Sequence, residues 1–242
     1  MTQIYKLPLS DNKVIDIFIE RKKIKNYYIK INPDLTVTVS IPLFIDINLI
    51  YNFINSHKKW IEKNLDKFKT AKETNIKDNI VNGGTVKILD SQYIVYIYSS
   101  DKNNIVIDGF NIYIYSKNST DSNYILKQYN NFLKEQAAKY FQTKIDKFFP
   151  IFSKYGINKP TLKIKIMRSK WGSCIPMLSQ ITLNLYLYKA SDKCVEYVVF
   201  HEMTHLIHRG HKKRFYAFLQ KYMPNFQETE KELDYQASQL LY

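Results

Sequence analysis

The sequence has little of what marks secreted or membrane proteins. Its 242 residues include only two cysteines, Cys174 and Cys194, too few for a disulfide framework, so we expect free thiols in a reducing compartment. The N-terminus lacks a basic region followed by an apolar run, and no uninterrupted apolar stretch approaches the length that spans a bilayer. These absences predict a cytoplasmic protein that does not associate with a membrane.

Arginine is also scarce. The formal net charge is +14, yet only four of the 36 basic residues are arginines, namely Arg21, Arg168, Arg209 and Arg214. Planar, bidentate recognition of phosphate favours arginine over lysine, and the lysines are spread along the whole chain. The charge therefore favours a solvated surface. A non-enzymatic basic protein that binds nucleic acid stays an alternative that rests on charge alone.

Strand-like segments occupy most of residues 1–120. Apolar residues alternate with polar ones, or β-branched and aromatic residues cluster between turn signals. The predicted strands are 14–19, 27–31, 35–41, 85–89, 93–98 and 112–115. One helix is predicted over residues 47–68 from apolar residues at helical spacing. His57 falls on the apolar side of that helix, which favours a structural role over a ligand role.

The spacing of apolar residues changes from strand-like to helical in the second half of the chain. Apolar residues at helical spacing predict a long helix over 121–149, ending near Pro150 and Gly156. Two strands (162–167 and 180–186) and three helices follow, the first of them opened by Ser191 or Asp192. The sequence thus predicts an α+β fold, with a β-rich region of residues 1–120 and a mainly helical region of residues 121–242. This boundary rests only on the change of period, and one compact unit is the alternative.

The chemistry is concentrated between His201 and His211, in the run HEMTHLIHRGH. Residues four apart on a helix share a face, so His201 and His205 are placed to bind one metal ion, with Glu202 beside them as general base. Buried imidazoles without partners would be costly, which favours a ligand role. The alternative is an ordinary helix with an incidental histidine cluster.

A catalytic zinc site needs a third protein ligand beside an open position for water. On a continuous helix His208 would lie about 10 Å along the axis from His201, too far for one ion to bridge. Gly210 can adopt the left-handed conformation that ends a helix, so His211 can return toward the metal and is the better candidate. A carboxylate on the last helix, Glu230 or Glu228, is the runner-up.

Several segments together resemble the YgjP-like metal-dependent hydrolases, which are grouped with SprT-like and other zincin metallopeptidases. The segments are RSKWGSC at 168–174, ITLNL at 181–185, YVVFHEMTH at 197–205 and HKKRF at 211–215. The resemblance covers most of the chain and implies that His201, His205 and His211 bind zinc and that Glu202 is catalytic. One departure is Leu35, where glycine often completes the hairpin after Asp34. His208 inherits no role from the family.

The WGSC segment, residues 171–174, is open to two interpretations. Ser173 or Cys174 suggests a nucleophile, but the segment offers no base of its own. The stronger interpretation is structural: Trp171 packs beside the metal helix, Gly172 allows a tight turn, and Cys174 is a small buried apolar residue.

Two enzymatic functions follow from the motif. In the first, a zinc metallopeptidase, an extended polypeptide pairs with the strand around residues 181–187, whose Thr182 and Asn184 face away from the core. In the second, a metal-dependent phosphohydrolase, Arg168, Lys170 and Arg209 meet the phosphates of a nucleotide. No glycine-rich phosphate loop supports this second function.

Overall fold

The computed structural model describes residues 3–32, 34–74, 78–167 and 169–240. The chain divides into two compact units, residues 1–75 and residues 76–241, each with its own buried apolar core. The change of period near residue 120 therefore lies inside the second unit. Among the described residues, no helix combines the length and apolarity needed to cross a bilayer.

The first unit is a four-stranded sheet with two helices. Its strands are β1 (Gln3–Pro8), β2 (Val14–Lys22), β3 (Tyr28–Ile31) and β4 (Val37–Pro42), in the order β1-β2-β4-β3. Strands β2 and β4 run parallel, and the other neighbours are antiparallel. Leu35, at the turn before β4, has a φ of 70°, a conformation that glycine adopts with less strain than leucine.

The single helix predicted over residues 47–68 is two helices in the structure, α1 (Ile47–Ser56) and α2 (Lys58–Thr74). The break has a local cause. The Ser56 hydroxyl donates to the carbonyl of Phe53 at 2.8 Å, and His57 Nδ1 lies 2.8 Å from the same oxygen. These side chains take the acceptor that the His57 backbone N–H would use in a continuous helix.

The second unit begins with a sheet that packs on one long helix. Strands β5 (Thr85–Ile88), β6 (Ser91–Ser99), β7 (Asn104–Asp108) and β8 (Asn111–Ser116) lie in the order β5-β6-β8-β7. Helix α3 (Ser122–Ser153) is capped by Asp121, and its buried residues recur four apart from Ile125 to Ile145, forming the apolar stripe that joins this core. The helix continues through Pro150 to Ser153, four residues beyond the predicted helix segment.

The last part of the chain forms a three-stranded sheet covered by helices. Strands β9 (Thr161–Lys165), β10 (Gly172–Ile175) and β11 (Gln180–Asn184) lie in the order β10-β11-β9. Helix α4 (Asp192–Thr204) contacts β10 and β11, and α5 (Lys213–Tyr222) and α6 (Phe226–Leu240) pack against α4. With strands concentrated before residue 117 and helices after residue 121, the predicted α+β class is confirmed.

The prediction that Thr182 and Asn184 face away from the core on an accessible strand is wrong. Strand β11 is paired on both sides, with β10 and with β9. Ile181, Thr182, Leu183 and Asn184 are all buried. A strand in the middle of a sheet, covered on both faces, has no backbone donors or acceptors left for a substrate.

Candidate metal centre

Helix α4 holds the HExxH segment (residues 201–205) in position because its other residues pack in the core. Its buried apolar side chains are Cys194, Val195, Tyr197, Val198, Val199, Phe200 and Met203. Near its N-terminus, Lys144 of α3 pairs with Asp192 at 2.5 Å and with Glu196 at 2.9 Å. Both pairs connect α4 to α3, and the pair with Glu196, in which both side chains are largely buried, is less screened than a surface pair.

The chain brings three imidazoles together at the end of α4. The ligand atoms of His201, His205 and His211 all lie within 4.8 Å of one another, and Nε2 of His211 is 2.9 Å from Nε2 of His201. The helix ends at Thr204, with His205 as its C-cap. Gly210 has a φ of 73°, the left-handed conformation that lets the chain turn back and return His211 to the cluster.

The donor set fits a divalent transition metal. Burial lowers the pKa of His201 to about 3 and also lowers the pKa of His205, so both rings are neutral at pH 7, as metal ligands must be. His205 Nδ1 lies 3.3 Å from the carbonyl oxygen of His208. That hydrogen bond leaves Nε2 of His205 for the metal. Three imidazoles beside an accessible cleft can hold an ion with one coordination position left open.

The alternative third ligands do not join this cluster, although Glu230 lines the same cleft. The His208 ring packs on Phe218, with ring centroids 5.6 Å apart. Glu230 accepts a hydrogen bond from the Tyr197 hydroxyl at 3.1 Å, and Glu228 is exposed on α6. Within the described part of the chain, neither glutamate nor His208 belongs to a cluster of potential metal ligands.

Glu202 occupies a space that exists because residue 172 is glycine. A Cβ atom on Gly172 would lie 2.6 Å from Cγ of Glu202 and 2.7 Å from its Oε1. Gly172 begins β10 instead of forming the tight turn predicted from sequence. Glu202 is 7% exposed, and burial raises the pKa of its carboxyl to about 7, although the charge of Lys170 opposes the shift.

The three histidines and Glu202 open into one cleft of about 790 Å³. Trp171, Ser173 and Cys174 line it, as do Lys170 and Arg209. Burial, with the charge of Glu202, raises the pKa of the Cys174 thiol to about 12, so this thiol is protonated at neutral pH and a poor nucleophile. Ser173 has no side-chain hydrogen bond to a described residue that would act as its base. Arg168 lies outside the described residues.

Two further residues organise the site and were not assigned this role from sequence. The buried amide of Asn184 donates to the carbonyl oxygens of Met167 and Lys170 at 2.7 and 2.9 Å, which fixes the loop between β9 and β10 at the cleft. Phe215 of α5 is buried beneath the three imidazoles. An asparagine ending an apolar strand is a usable sequence signal, whereas Phe215 reads as an ordinary core residue.

Converging imidazoles, an adjacent buried carboxylate and a shared cleft are the arrangement of a metal-dependent hydrolase. The comparison with protein families agrees, since the model described as "YgjP-like, metallopeptidase domain" matches residues 25–236. The chain therefore belongs to the YgjP-like metallopeptidase family. A search of curated proteins finds no match.

Proposed function

We propose that this protein is a zinc-dependent peptidase in which His201, His205 and His211 hold the metal and Glu202 is the general base. The observation that carries the proposal is the meeting of these four side chains at one cleft, with the ligand atoms of the three histidines within 4.8 Å of one another. Among common divalent ions, zinc suits three imidazoles with one open coordination position.

When bound, zinc lowers the pKa of a coordinated water toward about 7 and polarises the substrate carbonyl. The chain supplies the proton transfers. Glu202 does not belong to the ligand cluster, so its carboxylate is available to accept the proton of the attacking water and to deliver it to the leaving amine. Gly172 and the buried surroundings hold that carboxylate in place.

A polypeptide substrate is favoured by the open edge of β10. The Asn184 N–H donates to the Trp171 carbonyl at 2.8 Å, which makes these two residues a hydrogen-bonded pair. Pairs of this kind alternate along antiparallel strands, so the backbone N–H and C=O groups of Gly172 and Cys174 are directed away from β11. An extended peptide that adds to this edge brings its backbone alongside Glu202.

The side chains at the end of β10 and just after it suit an unfolded polypeptide. Ile175 and Met177 line the same cleft and are 43% and 87% exposed. Apolar side chains displayed next to an open strand edge offer contacts to hydrophobic residues, which folded substrates keep buried. We therefore expect cleavage of unfolded chains at sites near apolar residues.

A nucleotide phosphohydrolase is the second candidate, and the positions of Lys170 and Arg209 favour it. Both line the cleft, and neither makes an ion pair within 4 Å with an acidic group of the described residues. Such cations would attract a phosphate, and raising the salt concentration would weaken that attraction.

One set of assays separates the two candidates. Purified protein with its zinc content measured is assayed on an unfolded polypeptide and on nucleoside triphosphates, each at two salt concentrations. Glu202→Gln is the inactive variant, and Glu228→Gln, on the exposed face of α6, is the matched control. Cleavage of the polypeptide by the wild type and Glu228→Gln, but not by Glu202→Gln, supports the peptidase. Salt-sensitive triphosphate hydrolysis that depends on Glu202, without peptide cleavage, would overturn it.

A further inference from the structure

One buried aromatic ring touches all three histidines of the proposed metal site. Phe215 has no exposed surface. Its ring centroid lies 4.9 Å from that of His201, 4.6 Å from that of His205 and 4.8 Å from that of His211. The His205 ring is stacked on it at 30°, and the other two rings meet it at 71° and 87°.

Metal-binding imidazoles are usually oriented by a hydrogen bond on the ring nitrogen that does not bind the metal. Here His205 has such a bond, to the carbonyl of His208. His201 does not, since its Nδ1 is buried and has no hydrogen-bond partner among the described residues. The hydrogen-bonding contact of His211 is with His201 itself, through Nε2. The hydrogen bonds of the described residues therefore orient one ring of the three.

Helix α5 holds Phe215 in place. The Phe215 N–H donates to the carbonyl of Lys212 at 2.9 Å in the first turn, and Phe218 and Leu219 bury the next turn in the core. A flat ring held in this way restricts the rotation of His201 and His205, because close-packed side chains leave little space for alternative rotamers. His211 is exposed, and the Phe215 ring limits its rotation on the side where the two rings meet.

We propose that Phe215 is a positioning residue for the metal site. Its ring orients the imidazoles of His201 and His211, which at other metal sites are oriented by hydrogen bonds. This inference rests on the proposed metal site. It also implies that His201 binds without a hydrogen-bonded acceptor on its other ring nitrogen, since none of the described residues supplies one to increase the basicity of the metal-binding nitrogen.

The test compares Phe215→Leu with Phe218→Leu. Phe218 is also a buried phenylalanine of α5, and it contacts Phe152, Phe200 and His208 but none of the three proposed ligands. For each protein, the zinc Kd is measured by chelator competition, the visible absorption spectrum is recorded with Co(II) in place of zinc, and thermal unfolding is followed without metal.

Phe215→Leu should raise the zinc Kd by about 10-fold to 100-fold and shift the Co(II) absorption bands. Phe218→Leu should destabilise the fold but leave the zinc Kd and the Co(II) bands unchanged. Should Phe215→Leu fail to fold, Phe215→Met, whose side chain is more adaptable, is measured against the same control. Wild-type protein that binds no zinc would overturn the metal site itself. If the wild type binds zinc and both variants keep its zinc Kd and Co(II) spectrum, only the role of Phe215 is overturned.

Discussion

Replacing Gly172 by alanine is the sharpest test of how Glu202 is held. The φ of Gly172 is not positive, so alanine fits the backbone of β10, and the effect comes from its Cβ alone. That atom would lie 2.6 Å from Cγ of Glu202, about 1 Å closer than ordinary van der Waals contact. The Glu202 carboxylate must therefore move by a comparable distance.

A displacement of about 1 Å in a reacting group costs about 100-fold in rate. We expect Gly172→Ala to lower kcat by about that factor on an unfolded polypeptide, with one zinc per chain retained and a destabilisation of about 1 to 3 kcal/mol from overpacking. Zinc content, kcat and thermal unfolding check this. Gly210→Ala is the contrasting variant. Its Cβ would meet nothing within 4 Å, but the φ of 73° at this position strains alanine. This variant should therefore weaken zinc binding, which Gly172→Ala should not. Unchanged kcat in Gly172→Ala would mean that Gly172 does not set the position of the Glu202 carboxylate.

The remaining predictions concern the ligands and the loop. His201→Ala or His205→Ala should abolish zinc binding, whereas Glu202→Gln should keep the metal and lose activity. Stoichiometric zinc in the variant that lacks both histidines would contradict their assignment as metal ligands. His211→Ala should weaken zinc far more than His208→Ala or Glu230→Ala in a chelator titration, and the reverse order would mean that the turn at Gly210 does not supply a ligand. Asn184→Ala removes the donor to the carbonyls of Met167 and Lys170, and each lost hydrogen bond costs about 0.5 to 1.5 kcal/mol. This variant should have a lower unfolding temperature and a lower rate of peptide cleavage, with zinc still bound. A normal cleavage rate in a destabilised variant would mean that the position of this loop does not affect catalysis.

The features that depend on local geometry could be predicted from the sequence. The spacing of His201 and His205 follows from the helical repeat, and the left-handed turn at Gly210 follows from the one residue type there that adopts it without strain. The α+β class follows from the change between strand and helix periods. In each case the residues involved are at most a few turns apart, so chain geometry alone relates them.

Three features depend on contacts between distant segments: which strand lies at the edge of its sheet, what surrounds Glu202 and which ring packs against the imidazoles. Alternation predicts that 181–187 is a strand, but the pairing of β11 with both β9 and β10 depends on contacts between distant segments. Gly172 and Glu202 are 30 positions apart in the printed sequence, and nothing local to either predicts their contact. Phe215 has the same apolar signature as any core residue, because periodicity reports that a side chain is buried and says nothing of the side chains it is buried against.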